Sequence, residues 1–164
     1  MKFISIWYYY ASLSGNTAKM FNNNKIIKII NSFDRRIFYP ENYAKKIVFI
    51  FCHDDDILSM SLALGLSSAK CVTELFYEGK TDALNCETDG ILFSSNLILE
   101  LHENGGAHFV KVRSSGVYMN MCGKPEKECE YGEFKKQLSE FMAEDYEHLC
   151  GEKIRDYDKV LECK

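Results

Sequence analysis

Apolar residues along this chain fall into two patterns, and each predicts a different kind of element. Over residues 22–33, Ile26, Ile27, Ile29, Ile30 and Phe33 recur at the spacing of one helical face. Asn22, Asn23 and Asn24 come just before them and are of the residue type that caps a helix N-terminus. This predicts an amphipathic helix. Pro40 and Asn42 then break the chain, and residues 47–52 are apolar at every position instead of every second one. Such a run fits a strand buried on both faces, as in a parallel sheet between helices. His53, Asp54, Asp55 and Asp56 follow, where acidic groups suit the positive end of a helix expected over 57–64 and closed by Gly65.

The later part of the chain alternates. Leu97, Leu99 and Leu101 share one face of a strand expected over 91–102, with Asn96, Ile98, Glu100 and His102 on the other. Asn104, Gly105 and Gly106 tolerate positive φ, so residues 107–113 should return antiparallel. A second turn at Ser115-Gly116 leads into 117–121 and completes a three-stranded meander. Phe134, Leu138, Phe141 and Met142 set an apolar stripe on one more helix. With no internal repeat and no domain boundary, residues 1–164 read as a single α/β domain. Its parts are a buried parallel strand ending at Cys52, flanking helices, an antiparallel meander at one edge and a closing helix.

Composition narrows the function classes. At 164 residues, 46% hydrophobic and 27% charged, the chain can bury one ordinary core. Its formal charge of -4 argues against neutralising a phosphate backbone, so no nucleic-acid partner is expected. No apolar run approaches the roughly 18 residues that span a bilayer. Seven cysteines, at 52, 71, 86, 122, 129, 150 and 163, include no pair at zinc-knuckle spacing and favour a disulfide-bearing, secretory-pathway protein. The odd count leaves at least one thiol free, and Cys52 is the expected reduced core residue because it ends the most apolar segment. Residues 1–14 have the layout of a signal peptide, against which Tyr8, Tyr9, Tyr10 and the lack of a small-x-small site count. The aromatic group at 7–10 is expected to be packing.

Ligands of open α/β sheets bind beyond the carboxyl ends of strands, where helix N-termini present unpaired amides. His53 and Asp54 occupy that place. An imidazole there can donate to a phosphate oxygen, and a neighbouring carboxylic acid can protonate a leaving alkoxide. A polar turn that only caps the following helix is the alternative reading of the same two residues. His102 and His108 flank the expected hairpin, but two imidazoles do not make a metal site and no further ligand stands at a matching spacing. Neither a metal nor a cofactor is expected.

The stretch 47–66, IVFIFCHDDDILSMSLALGL, resembles the histidine acid phosphatases in its apolar strand, His-Asp pair and helix ending in an Ala-Leu-Gly-like segment. The likeness continues in order through residues 93–101, residues 108–116, and Cys122 and Cys129 followed by Glu133-Phe134; upstream it takes in 15–33, so that it covers most of 15–138. It implies the C-terminal part of a three-layer sheet with flanking helices. It further implies His53 as phosphate ligand, Asp54 as proton donor, a phosphate monoester or inorganic phosphate as ligand, a Cys122–Cys129 disulfide, and a secretory, lysosomal or extracellular location. Cys71 and Cys86 bracket a second loop and are expected to pair, with independent thiols as the alternative.

Two departures qualify what the resemblance implies. Asp55 and Asp56 stand where the family more often has hydroxyl residues, and their charges would either repel an anion or cap the helix. The family's nucleophile is the histidine of an Arg-His-Gly motif flanked by phosphate-clamping arginines, and no such motif occurs in this sequence. His102, His108 and His148 all follow His53, and only Arg35 and Arg36 precede it. Covalent catalysis and charge stabilisation are lost together, so the chain alone is expected to be inactive. The expected partners are a complementary N-terminal half carrying that motif, or a second copy of the chain. A non-catalytic binding relative is the competing reading. Metal-dependent HD phosphohydrolases share the letters His-Asp but set them on helices among further ligands, unlike the strand expected before His53.

Overall fold

Alternation in the later part of the chain does build a hairpin. In a computed structural model that describes residues 15–86 and 94–144, β1 (Leu97–Asn104) pairs antiparallel with β2 (Ala107–Ser114) along its full length. Gly105 and Gly106 make the two-residue turn with φ of 59° and 82°, the doubly positive combination whose twist matches a tight hairpin. Leu97, Leu99 and Leu101 lie on the same face as Val110 and Val112, which are wholly buried, while Ile98, Glu100 and His102 share the outer face with Phe109, Lys111 and Arg113. Two short strands line the far edge of β2. They are β3 (Val117–Tyr118), opposite Arg113 and Ser114, and β4 (Cys129–Glu130), opposite Phe109 and Val110. The meander is present, with β3 shorter than expected and β4 added by the chain's return.

Helices cover the inner face. In α1 (Gly15–Phe38), Ile26 and Ile30 enter the core with Ile29, Phe33 and Ile37 at their flanks. The helix begins well before the three asparagines, which are therefore not caps. Asn22 and Asn23 are buried, and each is used by another element: Asn22 Nδ2 donates to Ser59 O at 2.9 Å, and Asn23 Oδ1 accepts from Ala143 N at 3.2 Å. α2 (Asp54–Ala63) takes the three aspartates as its first turn and ends at Gly65, whose φ of 70° lets Leu66 N reach Ser61 O at 2.8 Å. α3 (Ala69–Tyr77), which sequence periodicity did not suggest, starts at Ser68, whose Oγ accepts from Cys71 N at 3.0 Å. α4 (Tyr131–Ser139) places Phe134 and Leu138 in the core, and the Tyr131 hydroxyl donates to Asp34 on α1 at 2.7 Å. Burial first, then the bond to Asp34 and its charge, raise the Tyr131 phenol well above its ordinary value.

The architecture is thus mixed α/β, with helices and a small antiparallel sheet. It differs from expectation at residues 47–52, which form no strand. Ile47, Val48, Phe49, Ile50 and Phe51 are between 45% and 94% exposed, and residues 46–52 make no backbone hydrogen bond to another described residue. A run that is apolar on both faces needs a neighbour along each edge and a cover on each side, and the described residues supply neither. Cys52 is consequently an exposed free thiol and not a core residue. Among the described residues the expected strand begins at Leu97, after Ser94, which turns the chain with φ of 67°. Residues 91–93, the segment 1–14 with its aromatic group, Cys150, Cys163 and the tail beyond 144 lie outside the described residues.

Cys71 pairs with Cys86, and Cys122 with Cys129, each with Cα atoms 5.9 Å apart. The first bridge ties α3 to the loop after it and packs beside Val72, Leu58 and Leu62. The second closes the turn that brings β4 against β2. For loops of this length the chain-entropy gain is about 3 and roughly 2 kcal/mol respectively. No helix of the described residues is long and apolar enough to cross a membrane.

Because Phe134 is completely buried where α1, α4 and the sheet meet, Phe134→Ala should cost about 3–5 kcal/mol, read as a lower denaturant midpoint with an unchanged slope.

Candidate functional site

His53 ends the extended segment and serves as N-cap of α2, with φ of -87° and ψ of 172°. Its carbonyl accepts from Asp56 N at 3.2 Å and Ile57 N at 3.3 Å, while its own N–H donates to Asp56 Oδ2 at 3.0 Å. Asp56 Oδ1 in turn accepts from Lys25 Nζ at 2.7 Å. One turn further on, Asn22 Oδ1 accepts from Ser59 Oγ at 2.9 Å. Three residues apart on one face of α1, Asn22 and Lys25 therefore hold the start of α2 in place. Partial burial raises the Asp56 carboxyl, but the Lys25 hydrogen bond, the His53 N–H and the charges of both residues outweigh it and hold the group below its ordinary value.

This arrangement leaves His53 and Asp54 exposed at the positive end of a helix. The three aspartates divide their work. Asp56 faces inward and is neutralised by Lys25, so of the two outcomes expected for its charge, capping is the one that occurs. Lys25 was not legible as a site residue, since among the lysines of α1 nothing but its spacing from Asn22 sets it apart. Beside the pair, the Cys52 thiol is raised by partial desolvation and then by the Asp56 charge, with Lys25 opposing, so it remains protonated at neutral pH and is a poor nucleophile.

Other groups singled out by sequence or chemistry do not join this site. His102 and His108 fall on opposite faces of the β1–β2 hairpin, and the His102 ring meets Glu100 at 3.0 Å. Glu100 also receives Arg113 at 2.6 Å and the Tyr118 hydroxyl at 3.0 Å, forming a polar cluster on the sheet's outer face. Partial burial raises Glu100, and these donors more than reverse the effect, so that its carboxyl lies below the ordinary value. Cys122, Cys129 and Glu133 converge, but both sulfurs are in the disulfide and Glu133 is paired with Lys124 at 2.6 Å. A shallow concavity between Ser67, Leu84 and Asn120 is closed on one side by reciprocal Asn85–Asn120 bonds of 2.8 and 3.1 Å and includes neither His53 nor Asp54.

No family model, curated protein or solved structure matches this chain.

The lowered Asp56 carboxyl makes a pH prediction. A carboxylate depressed in the folded state stabilises the fold fully above its unfolded value, about 3.9, and that contribution is lost as pH falls through the lower folded value. Asp56→Asn should therefore reduce the denaturant midpoint at neutral pH, and the gap from wild type should close as pH drops below about 4. A gap that stays constant through acid would contradict the Lys25–Asp56 assignment.

Proposed function

We propose that this chain is a relative of the histidine acid phosphatases that keeps the phosphate-holding and proton-donating end of the active site, His53 and Asp54, without the nucleophile. The observation that carries this reading is the exposure of both side chains at the N-terminus of α2, the positive end of that helix. An imidazole there donates to a phosphate oxygen, and a protonated Asp54 gives its proton to the leaving alkoxide oxygen. The ordered resemblance read from the sequence over most of 15–138 supports the same assignment, as does the two-disulfide framework, which suits an oxidising compartment such as the secretory pathway, the lysosome or the outside of the cell.

On this reading the ligand is inorganic phosphate or a phosphate monoester, bound without turnover by the chain alone. General acid catalysis contributes about 100- to 10,000-fold, against the factors of up to about 10²¹ by which enzymes accelerate the slowest monoester hydrolyses. Something must still attack phosphorus. A complementary half bearing Arg-His-Gly would supply that histidine and the arginines that offset charge on the transferred phosphoryl group. The exposed apolar run at 47–51 favours a second reading, a non-catalytic interaction protein that shares this ancestry.

Titration with inorganic phosphate, followed by the His53 ring resonances, tests binding. Saturable shifts that disappear in His53→Ala are expected, and unmoved resonances at millimolar phosphate would remove the assignment. In an aryl-phosphate assay at acidic pH the chain alone should show no turnover above buffer. Adding an N-terminal half with Arg-His-Gly should produce turnover that Asp54→Asn lowers about 100-fold or more. Robust hydrolysis by the 164-residue chain alone would show that it holds a complete site.

A further inference from the structure

We propose that residues 46–52 form the strand of a symmetric, antiparallel pairing between two copies of this chain. The inference does not rest on the phosphatase reading. It starts from a segment that forms no strand of its own but whose side chains are disposed as those of an extended chain. Phe49 and Phe51 stack with ring centroids 6.4 Å apart, as residues two apart do on one side of an extended chain. Among the described residues the backbone of 46–52 has no hydrogen-bond partner, and five consecutive apolar side chains stand open on its two faces. Unpaired strand edges of this kind template pairing with another strand.

Charge selects which strand. Lys45 and Lys46 lie at one end of the segment and Asp54 at the other, all exposed and without an ion pair among the described residues. A two-fold axis through the middle of the run sets the lysine end of each copy against the Asp54 end of the other. The segment is then complementary to itself, as an isologous interface requires. Parallel, in-register pairing would instead place lysine on lysine and aspartate on aspartate, which is destabilising. With Lys46 opposite Asp54, Ile50 falls on the axis, and the apolar residues between the charged ends meet only one another.

Sedimentation velocity of the full chain, together with charge exchange, decides the matter. Wild type should dimerise. Lys45→Glu/Lys46→Glu and Asp54→Lys should each weaken self-association at least tenfold while keeping the wild-type circular dichroism; Asp54→Lys also lowers the melt modestly, because it sets a cation at the N-terminus of α2. A mixture of these two variants should recover a one-to-one heterodimer, since opposite charges again meet at both ends. In a Cys52→Ser background, Ile50→Cys should give a covalent dimer on mild oxidation.

A monomeric wild type with solvent-accessible amides at 47–51 would overturn the proposal, and so would a monomer whose 47–51 amides are protected, which would mean that another part of the chain covers the segment. Dimers indifferent to the charge variants, or open-ended polymers, would overturn it as well by pointing to a different surface. Phosphate binding at His53 is read by resonance shifts and not by mass, so either idea can fail alone.

Discussion

The attachment of α1 to the first two turns of α2 is the constraint on which the rest of the described structure depends. Asn22 and Lys25 reach across to Ser59 and Asp56, and just beyond these bonds Ile26 and Ile30 enter the core. Every polar group buried at this junction has a partner, which is the condition for placing an amide and an ion pair next to apolar side chains. Its effect reaches both ends of α1. At the far end Asp34 takes the Tyr131 hydroxyl and the Lys135 ammonium, so the helix is also tied to α4, and through Phe134 to the sheet. Asp56 is turned toward α1 and only partly exposed while it holds Lys25. The outward side of the turn is thereby left to His53 and Asp54.

How far the fold was legible in the sequence varies with how local its cause is. The β1–β2 hairpin was readable because Leu97, Leu99 and Leu101 alternate with polar residues and two glycines mark the turn, so pattern and turn chemistry agree. The same holds for the core face of α1 and for the stripe of Phe134 and Leu138. The start of α1 was not readable. Asparagine is a common cap, and nothing local shows that Asn22 and Asn23 would find Ser59 and Ala143 instead. β4 escaped notice for a similar reason, since two residues cannot carry a period and Cys129 pairs with Val110 only because the Cys122–Cys129 turn returns it there. The disulfide partners themselves were readable, since Cys71 and Cys86 bracket one loop and Cys122 and Cys129 a shorter one.

Residues 47–52 illustrate the limit of pattern reading in the opposite direction. An unbroken apolar run states that both faces should be covered, but it does not name the cover. The candidate site was legible to the same degree. The position of His53 and Asp54 at a helix start followed from the aspartate run, whereas the identity of the aspartate that turns inward depended on Lys25, thirty-one residues away in sequence. Residues distant in sequence thus decide which acid is structural and which remains available for chemistry.

Magnitudes explain why the open segment bears on both the fold and the site. Fully burying a large aliphatic or aromatic side chain is worth about 1.5–3 kcal/mol, and the ten that two copies bring together are each only partly covered by a pairing of two strands, so their contribution is similar in size to the roughly 4–15 kcal/mol that association costs in lost freedom. Apolar burial alone therefore leaves association near balance and indifferent to direction. Backbone hydrogen bonds add net stability in either orientation, at about 0.5–1.5 kcal/mol each. Orientation is left to the ends of the segment, where Lys45 and Lys46 face one way along the strand and Asp54 the other. Each exposed pair there contributes little, about 0–1 kcal/mol, but the sign reverses between antiparallel and parallel pairing. Because Asp54 is both the acid of the candidate site and one end of this charge pattern, whatever pairs with the segment also sets the field at His53.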